Sequence, residues 1–160
     1  MVVQTQNTGR IYALPSVQQE VWEDGTQWLR SGIPFDENYA RCVGDWLEHW
    51  AKATPEQLFL AQRDASGEWQ KLSYGEVRER VIALATWLLK QNLSAERPVV
   101  ILSDNSIEHA LLMLAAMHIG VPSCAISQGY SLLSQDHAKL KENIKIMNPG
   151  VIYADPIDHF

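Results

Sequence analysis

The alternation of hydrophobic and polar positions is clearest between residues 98 and 127, where it predicts a strand, a helix and a second strand. The run Val99–Leu102 is short, apolar and β-branched, which is typical of a strand buried on both faces. A second extended run follows at Val121–Ile126. A strand, a helix and a strand within about thirty residues form a βαβ unit, whose strands are parallel and whose crossover is right-handed.

The helix of this unit is bounded by polar residues and a glycine. Asn105 and Glu108 have the spacing of a capping box, which predicts a helix that begins at Ser106. Gly120 stands where helices commonly end in a left-handed residue. The apolar positions recur with helical spacing and predict one core-facing stripe: Ile107, Ala110, Leu111, Leu114 and Met117.

Before the βαβ unit, the pattern predicts a helix and a β-hairpin. The helix extends from Tyr39 to the residues before Pro55, because proline disfavours helical geometry in its predecessor. The hairpin has strands at 58–62 and 69–72 around the turn-forming cluster 64–68. The apolar stripe of the helix comprises Val43, Trp46, Leu47 and Trp50.

The helix that follows the hairpin has two start signals. Ser73 and Glu76 have capping-box spacing, and Leu72 and Val77 have the spacing of a hydrophobic staple. A helix is therefore expected over 74–91. Its predicted core face comprises Val77, Val81, Leu84, Ala85 and Leu88.

After the βαβ unit, a polar loop at 127–134 leads to one more helix and one more strand. Ser134 is a candidate cap for that helix, residues 148–150 (Asn-Pro-Gly) end it, and Val151–Ala154 is a third buried strand. The alternation of strands and helices indicates an α/β fold: a layered, mostly parallel sheet with flanking helices plus an N-terminal β-hairpin. The apolar stripe of the last helix is thin: Leu140, Ile144 and Met147.

Residues 1–38 lack clean periodicity and are rich in turn signals. They are interpreted as an N-terminal extension draped over a domain that spans 39–160. Two pieces of this extension, Ile11–Leu14 and Gln27–Arg30, are candidates for short strands.

Composition and charge narrow the classes of function. The net charge of −6 argues against a nucleic-acid or anionic-membrane surface, since clustered Lys and Arg bind phosphate groups. No secretory signal is recognised and no apolar run is long enough to cross a bilayer. Cys42 and Cys124 make no C-x-x-C motif, which favours a cytoplasmic chain with free thiols. The one basic cluster is interpreted as a solvated helix face: Lys139, Lys141 and Lys145.

The sequence holds six tryptophans, which is many for 160 residues. Trp46, Trp50 and Trp87 fall at amphipathic helical positions. We therefore expect them in the core, where large aromatic side chains bury the most area, rather than on a ligand platform.

Motifs that carry a self-contained chemistry do not occur. The nine glycines are too far apart for a dinucleotide-binding G-x-G-x-x-G or a Walker loop. There is no G-x-S-x-G nucleophile elbow and no H-E-x-x-H. The five histidines include no i, i+4 pair, which argues against a zinc site on a helix.

Three polar stretches are candidates for a site. Ser103–Asn105 follows the first strand of the βαβ unit, where open α/β sheets place ligands, and a plain N-cap loop explains the same residues. His109 and His118 lie on the next helix and are interpreted as structural or surface histidines. Tyr130 and the serines around it form a candidate binding loop.

Several segments of the chain resemble one known family. Two of them are Leu72–Glu76, which reads L-S-Y-G-E, and the run that ends at Gly120–Pro122. The other segments are Asp45–Ala51, Phe59–Asp64, Leu93–Pro98, Ile101–Leu112 and Tyr130–Leu132. Together they resemble the opening of the AMP-forming acid–CoA ligases of the adenylate-forming superfamily, and most closely that of feruloyl-CoA synthases. The first two runs resemble the first and second core motifs of adenylation enzymes.

The resemblance implies an incomplete N-terminal part of an acyl-CoA-synthetase-like large domain. The family's phosphate loop, magnesium-associated glutamate, ribose-binding aspartate and C-terminal catalytic lysine have no counterparts in these 160 residues. No catalytic, cofactor-binding or metal-binding residue is therefore carried over, and no cofactor is expected for the chain alone. Residues 127–129 read Ser-Gln-Gly, where the family usually has Ser-Pro-Ala.

For a complete protein, the resemblance implies ATP, Mg²⁺ and coenzyme A as the partners of an aromatic, hydroxycinnamate-like acid. The carboxylate attacks ATP to give acyl-AMP and pyrophosphate, and the thiol of coenzyme A then displaces AMP.

The chain alone is expected to be inactive. The alternative is a non-catalytic interaction module or a degenerate remnant of the family. An unpaired sheet edge further predicts self-association.

Overall fold

The computed structural model describes residues 16–33 and 37–160. The chain divides into two compact units, residues 1–39 and 40–160. In its described part, the first unit is an antiparallel hairpin of β1 (Val17–Val21) and β2 (Gln27–Ser31). Every residue of both strands is exposed. The predicted strand at 27–30 is thus confirmed, whereas the one at 11–14 lies outside the described residues.

The second unit is a three-layer α/β structure, as the sequence predicts. A parallel sheet with the order β6-β5-β7 has α2 and α3 on one face and α4 on the other. A separate antiparallel hairpin of β3 and β4 packs against α2 and α3. The elements are α1 (Val43–Ala53), β3 (Leu58–Arg63), β4 (Trp69–Ser73), α2 (Tyr74–Leu88), β5 (Val99–Ser103), α3 (Ile107–His118), β6 (Ser123–Ala125), α4 (Ala138–Met147), β7 (Val151–Asp155) and a 3₁₀ turn (Ile157–His159).

Strand β5 is the centre of the sheet and is buried along its whole length. Val99 and Ile101 pack into the core beneath α2 and α3, whereas Val100 and Leu102 pack beside Leu140 of α4. Because successive side chains of a strand point to opposite faces, an uninterrupted apolar run is the pattern that two covered faces require. Each such side chain contributes roughly 1.5–3 kcal/mol through burial.

Helix α2 begins as predicted and ends earlier. Ser73 Oγ accepts a hydrogen bond from the Glu76 amide at 3.3 Å, and Glu76 Oε2 accepts one from the Ser73 amide at 2.8 Å. The capping box is therefore confirmed. The helix ends at Leu88 rather than at residue 91, because the amides of Lys90 and Gln91 bond to carbonyls three residues back and tighten the chain into turns.

The start of α3 differs from the prediction by one residue. Ser106 is the N-cap, and its Oγ accepts a hydrogen bond from the His109 amide at 3.0 Å. The capping box expected from Asn105 and Glu108 is wrong. The end is as expected, since Gly120 has a left-handed φ of 73°.

The buried surface of α3 is wider than one stripe. Ala110, Leu114 and Met117 are only half-buried. The helix packs on β5 and β6 and also on α1 and α2, so it is covered from two sides. The buried residues are Ile107, Leu111, Leu112, Ala115 and Ala116.

The predicted core face of α1 is confirmed at Leu47 and wrong at its other three positions. Val43, Trp46 and Trp50 are exposed, and so is Trp87 of α2. At the α1–α3 contact, a Cβ on Gly44 would lie 3.0 Å from His118 Nδ1, which leaves no room for an indole. Helix α1 begins at Val43 rather than Tyr39, and its buried residues are Gly44, Leu47 and Ala51.

Helix α4 begins after His137, which has a left-handed φ of 53°, rather than at Ser134. Ser134 Oγ instead accepts a hydrogen bond from the His137 amide at 3.0 Å, one turn before the helix. The predicted solvated face of α4 is confirmed, since all three of its lysines are exposed: Lys139, Lys141 and Lys145. None of the helices in the described ranges is long and apolar enough to cross a membrane.

Candidate functional site

The polar residues after β5 form one hydrogen-bonded group, which we call the β5-end cluster: Ser103, Asp104, His109 and Gln128. Ser103 Oγ lies 3.1 Å from His109 Nδ1, which is also 3.2 Å from the carbonyl oxygen of Asp104. The Gln128 side-chain amide donates to Asp104 Oδ1 at 2.6 Å. The cluster therefore joins the end of β5, the first turn of α3 and the loop that follows β6.

The geometry of this cluster supports a structural role. Ser103 is 6% exposed, and its hydroxyl faces the imidazole of His109. The oxygens of Ser103 and Asp104 are both neighbours of the same ring nitrogen, Nδ1. A general base needs a nitrogen that is within reach of a substrate-facing hydroxyl, and the hydroxyl of Ser103 is buried. The cluster can hold the loops, and it offers no activated nucleophile.

The amino terminus of α3 is also occupied by side chains of the protein. Gln62 Oε1 accepts a hydrogen bond from the Ile107 amide at 2.6 Å, and Ser106 Oγ accepts one from the His109 amide at 3.0 Å. These contacts use donors that would otherwise attract an anion. Sequence reasoning missed Gln62 and Gln128, because a single glutamine has no motif and gains its role from a partner distant in sequence.

Two shallow grooves flank the cluster. A groove of about 370 Å³ lies between β3 and the start of α3, with Arg63, Trp69 and Asn105 among its lining residues. The Arg63 guanidinium lies 4.5 Å from the Trp69 ring centroid and donates to the Gly67 carbonyl at 2.7 Å, so that cation is already engaged. The structure thus places Asn105 at a groove wall rather than at a helix cap.

The second groove, of about 290 Å³, lies at the exposed side of β6. Cys124, Ser127, Tyr130 and Met147 line it with other residues of α4. Tyr130 is 48% exposed, whereas Ser131 is fully buried and its hydroxyl donates to the Ser127 carbonyl at 3.2 Å. The candidate loop is therefore folded on its own hydrogen bonds, and Tyr130 is the side chain that it presents.

His118 lies apart from the β5-end cluster, at the contact of α1 with α3. Its Nε2 is 3.9 Å from Glu48 Oε1, and the other oxygen of Glu48 accepts a hydrogen bond from Arg78 Nε at 2.8 Å. Glu48 therefore links α1 to α2 and α3. These contacts agree with the interpretation of His118 as a structural histidine.

Titratable groups do not gather into a metal site within residues 16–33 and 37–160, where no three His, Cys, Asp or Glu side chains converge. Cys42 and Cys124 are free thiols.

Burial raises the pKa of the Tyr153 phenol, and the carboxylates of Asp155 and Glu108 raise it further.

The comparisons with known proteins agree with this fold. The model of the AMP-binding enzyme family matches residues 47–140. Bacitracin synthase 3 from Bacillus licheniformis is 28% identical over 145 residues, which cover 82% of the chain and 2% of that protein. The chain spans 2% of the length of the curated relatives that it matches.

Two solved structures show the same architecture. The fatty acid AMP ligase from Legionella pneumophila has a TM-score of 0.66 at 14% identity, over 79% of this chain and 22% of that one. The Klebsiella oxytoca NpsA N-terminal subdomain, in complex with 3-hydroxyanthranilyl-AMSN, has a TM-score of 0.63 at 20% identity, over 78% and 30%. At these identities the likeness shows the fold. The family match covers more than half of the chain, and the chain therefore belongs to the AMP-binding enzyme family.

Proposed function

We propose that this chain is the scaffold portion of an ATP-dependent acid–CoA ligase that resembles feruloyl-CoA synthase and takes an aromatic carboxylic acid. The observation that carries the proposal is the family match over residues 47–140, the part that contains β5 and α3. The NpsA N-terminal subdomain binds aromatic acyl groups as their AMSN derivatives, which supports an aromatic acid here. The free thiols Cys42 and Cys124 support a reducing, cytoplasmic setting.

The proposed reaction has two balanced steps. A carboxylate oxygen attacks the α-phosphorus of ATP, the bond to the β-phosphate oxygen breaks, and acyl-AMP and pyrophosphate form. The thiol of coenzyme A then attacks the acyl carbon, its proton is released, and AMP leaves with the electron pair of the broken bond. The residues of this chain hold the sheet and its loops in position, and phosphate binding and acid–base chemistry are assigned to other parts of such a ligase.

The test is the activity of the purified chain. With ATP, Mg²⁺ and a panel of acids (ferulate, 4-hydroxybenzoate and octanoate), we expect no exchange of pyrophosphate into ATP and no AMP release on addition of coenzyme A. A complete adenylating enzyme under the same conditions is the positive control. Acyl-AMP formation by the chain alone would contradict the assignment of the chemistry to other parts of the ligase.

A chimera tests the scaffold role directly. Residues 47–140 would replace the matching segment of the NpsA N-terminal subdomain, and binding of 3-hydroxybenzoyl-AMSN would be measured by calorimetry. Retained binding is the expected result. A folded chimera that has lost binding would contradict the scaffold role.

A further inference from the structure

The loop between β6 and α4, residues 127–134, is anchored at Ser131 and exposed around Tyr130. Ser131 is fully buried, whereas Tyr130 is 48% exposed. The amides of Ser131 and Tyr130 donate to the Ser127 carbonyl at 3.2 Å and 2.9 Å, so the first half of the loop is a local turn. Such a turn gives this half of the loop its shape, and its position on the sheet depends on contacts with other elements.

One side-chain contact joins the first half of the loop to the carboxyl end of β5. Gln128 Nε2 donates a hydrogen bond to Asp104 Oδ1 at 2.6 Å, between residues that are 24 positions apart in the sequence. The acceptor is a carboxylate, and hydrogen bonds to charged groups are stronger than those between neutral groups. Gln128 is half-buried, which limits the competition from water for this bond.

The acceptor of this bond is itself held in place. Asp104 Oδ1 also accepts a hydrogen bond from the Asn105 amide at 2.6 Å, and the Asp104 carbonyl oxygen lies 3.2 Å from His109 Nδ1. Because a carbonyl oxygen can only accept, the neutral ring of His109 carries its proton on Nδ1. His109 belongs to α3, so the helix holds Asp104 while Asp104 holds the loop.

The residue types of the loop make such a restraint necessary. Residues 127–129 read Ser-Gln-Gly, where the family usually has Ser-Pro-Ala. A proline ring fixes φ, and glycine loses more backbone freedom on ordering than any other residue, so this loop is intrinsically the more flexible of the two. A side-chain hydrogen bond from position 128 is a restraint that proline cannot supply.

We propose that Asp104 and Gln128 are a positioning pair. Their hydrogen bond, supported by His109, holds the first half of the loop against the end of β5 and so sets the place of the Tyr130 side chain. The bond takes over the stiffening role of a proline, and a loop that is ordered in advance costs less entropy when a ligand binds. The inference rests on the proposed scaffold role and names the contact through which the scaffold holds this loop.

Backbone order parameters of residues 128–130, measured by ¹⁵N NMR relaxation on the full chain, test the pair. In the wild type they should be close to the value of a rigid backbone, about 0.85. Gln128→Glu places two carboxylates face to face and should lower them toward about 0.6. Asp104→Asn/Gln128→Glu rebuilds the bond with donor and acceptor exchanged and should restore them. Gln135→Glu, at an exposed glutamine with the same change in net charge, is the control and should leave them unchanged.

The same spectra separate a local effect from a global one. The order parameter of Ile101 in β5 should stay constant in every variant. Order parameters of the loop that do not respond to Gln128→Glu, or that fall equally in Asp104→Asn/Gln128→Glu, would overturn the positioning pair. The ¹⁵N shifts of the His109 ring should show the proton on Nδ1, and a proton on Nε2 would overturn the support from α3. None of these measurements uses ATP or an acid, so the adenylation assays decide the ligase function separately.

Discussion

At the scale of single residues, the decisive interactions are local hydrogen bonds that close the ends of helices. Ser73 and Glu76 satisfy each other's backbone amides, and the sequence spacing alone was sufficient to predict this. The start of α3 combines a local cap from Ser106 with a second contact, in which the side chain of Gln62 reaches the Ile107 amide from β3. Spacing cannot reveal a cap of that kind.

The capping box predicts a pH-dependent stability. The hydrogen bond from the Ser73 amide, and then that from the Ser73 hydroxyl, lower the pKa of Glu76 below its ordinary 4.5. A carboxylate with a lowered folded-state pKa stabilises the fold above the unfolded-state pKa, and that contribution is lost as the pH falls through the folded-state value. In urea titrations we expect Glu76→Ala to destabilise at pH 7 and the difference from wild type to shrink below pH 4.5.

Two variants of α2 calibrate this measurement. Ser73→Ala removes the other half of the box and should lower the free energy of unfolding by about 1 kcal/mol. Glu79→Ala is the control, because it removes one exposed carboxylate of α2 that takes no part in the cap. Equal urea midpoints for wild type, Ser73→Ala and Glu76→Ala at pH 7 would reject the cap as a source of stability.

At the scale of elements, the burial of α3 shows how neighbours set the width of a core face. The helix is covered by the sheet and by two other helices, so its buried residues extend beyond one stripe. Helix α1 shows the opposite case, because it approaches α3 through Gly44 and leaves its tryptophans outside. Hydrophobic spacing identified both helices, and the packing partners chose the face.

The two leucines of α3 should therefore differ when truncated. Leu111 is 5% exposed, and Leu111→Ala should lower the free energy of unfolding by about 2–5 kcal/mol through lost contacts and a cavity. Leu114 is half-buried, so the cost of Leu114→Ala should be smaller. Denaturant midpoints with unchanged slopes give the comparison. An equal or reversed order would mean that α3 presents a different face to the core.

At the scale of the whole molecule, the core is formed by aliphatic side chains and the tryptophans lie outside it. All six are at least 39% exposed: Trp22, Trp28, Trp46, Trp50, Trp69 and Trp87. Two of them form a pair on the first unit, with ring centroids 4.9 Å apart. Exposed aromatic side chains in this number are available to partners, which fits a chain whose relatives are much longer.

This arrangement predicts an unusual fluorescence. The native chain should show an emission that is red-shifted from that of a buried tryptophan, and acrylamide should quench most of it. A blue-shifted native emission that resists acrylamide would contradict the exposed positions. The unfolded chain in urea serves as the reference.

The sequence by itself determined the features that depend on neighbours in the chain. The buried strand β5, the βαβ unit, the Ser73 cap and the left-handed Gly120 follow from runs, spacings and backbone freedom within a few residues. The start of α4 was predicted less well from the sequence. Ser134 Oγ accepts its hydrogen bond one turn before the helix, and His137, with a left-handed backbone, lies between them. The family resemblance likewise rests on short segments, and the match over 47–140 confirms the AMP-binding family alone.

The tertiary structure decided everything that depends on which elements meet. It turned Ser103 and His109 toward each other, brought Gln62 and Gln128 to their partners, and placed the tryptophans at the surface. The physical reason is that a side chain is buried or bonded only by atoms close to it in space. Those atoms belong to residues far away in the sequence, and local periodicity carries no information about them.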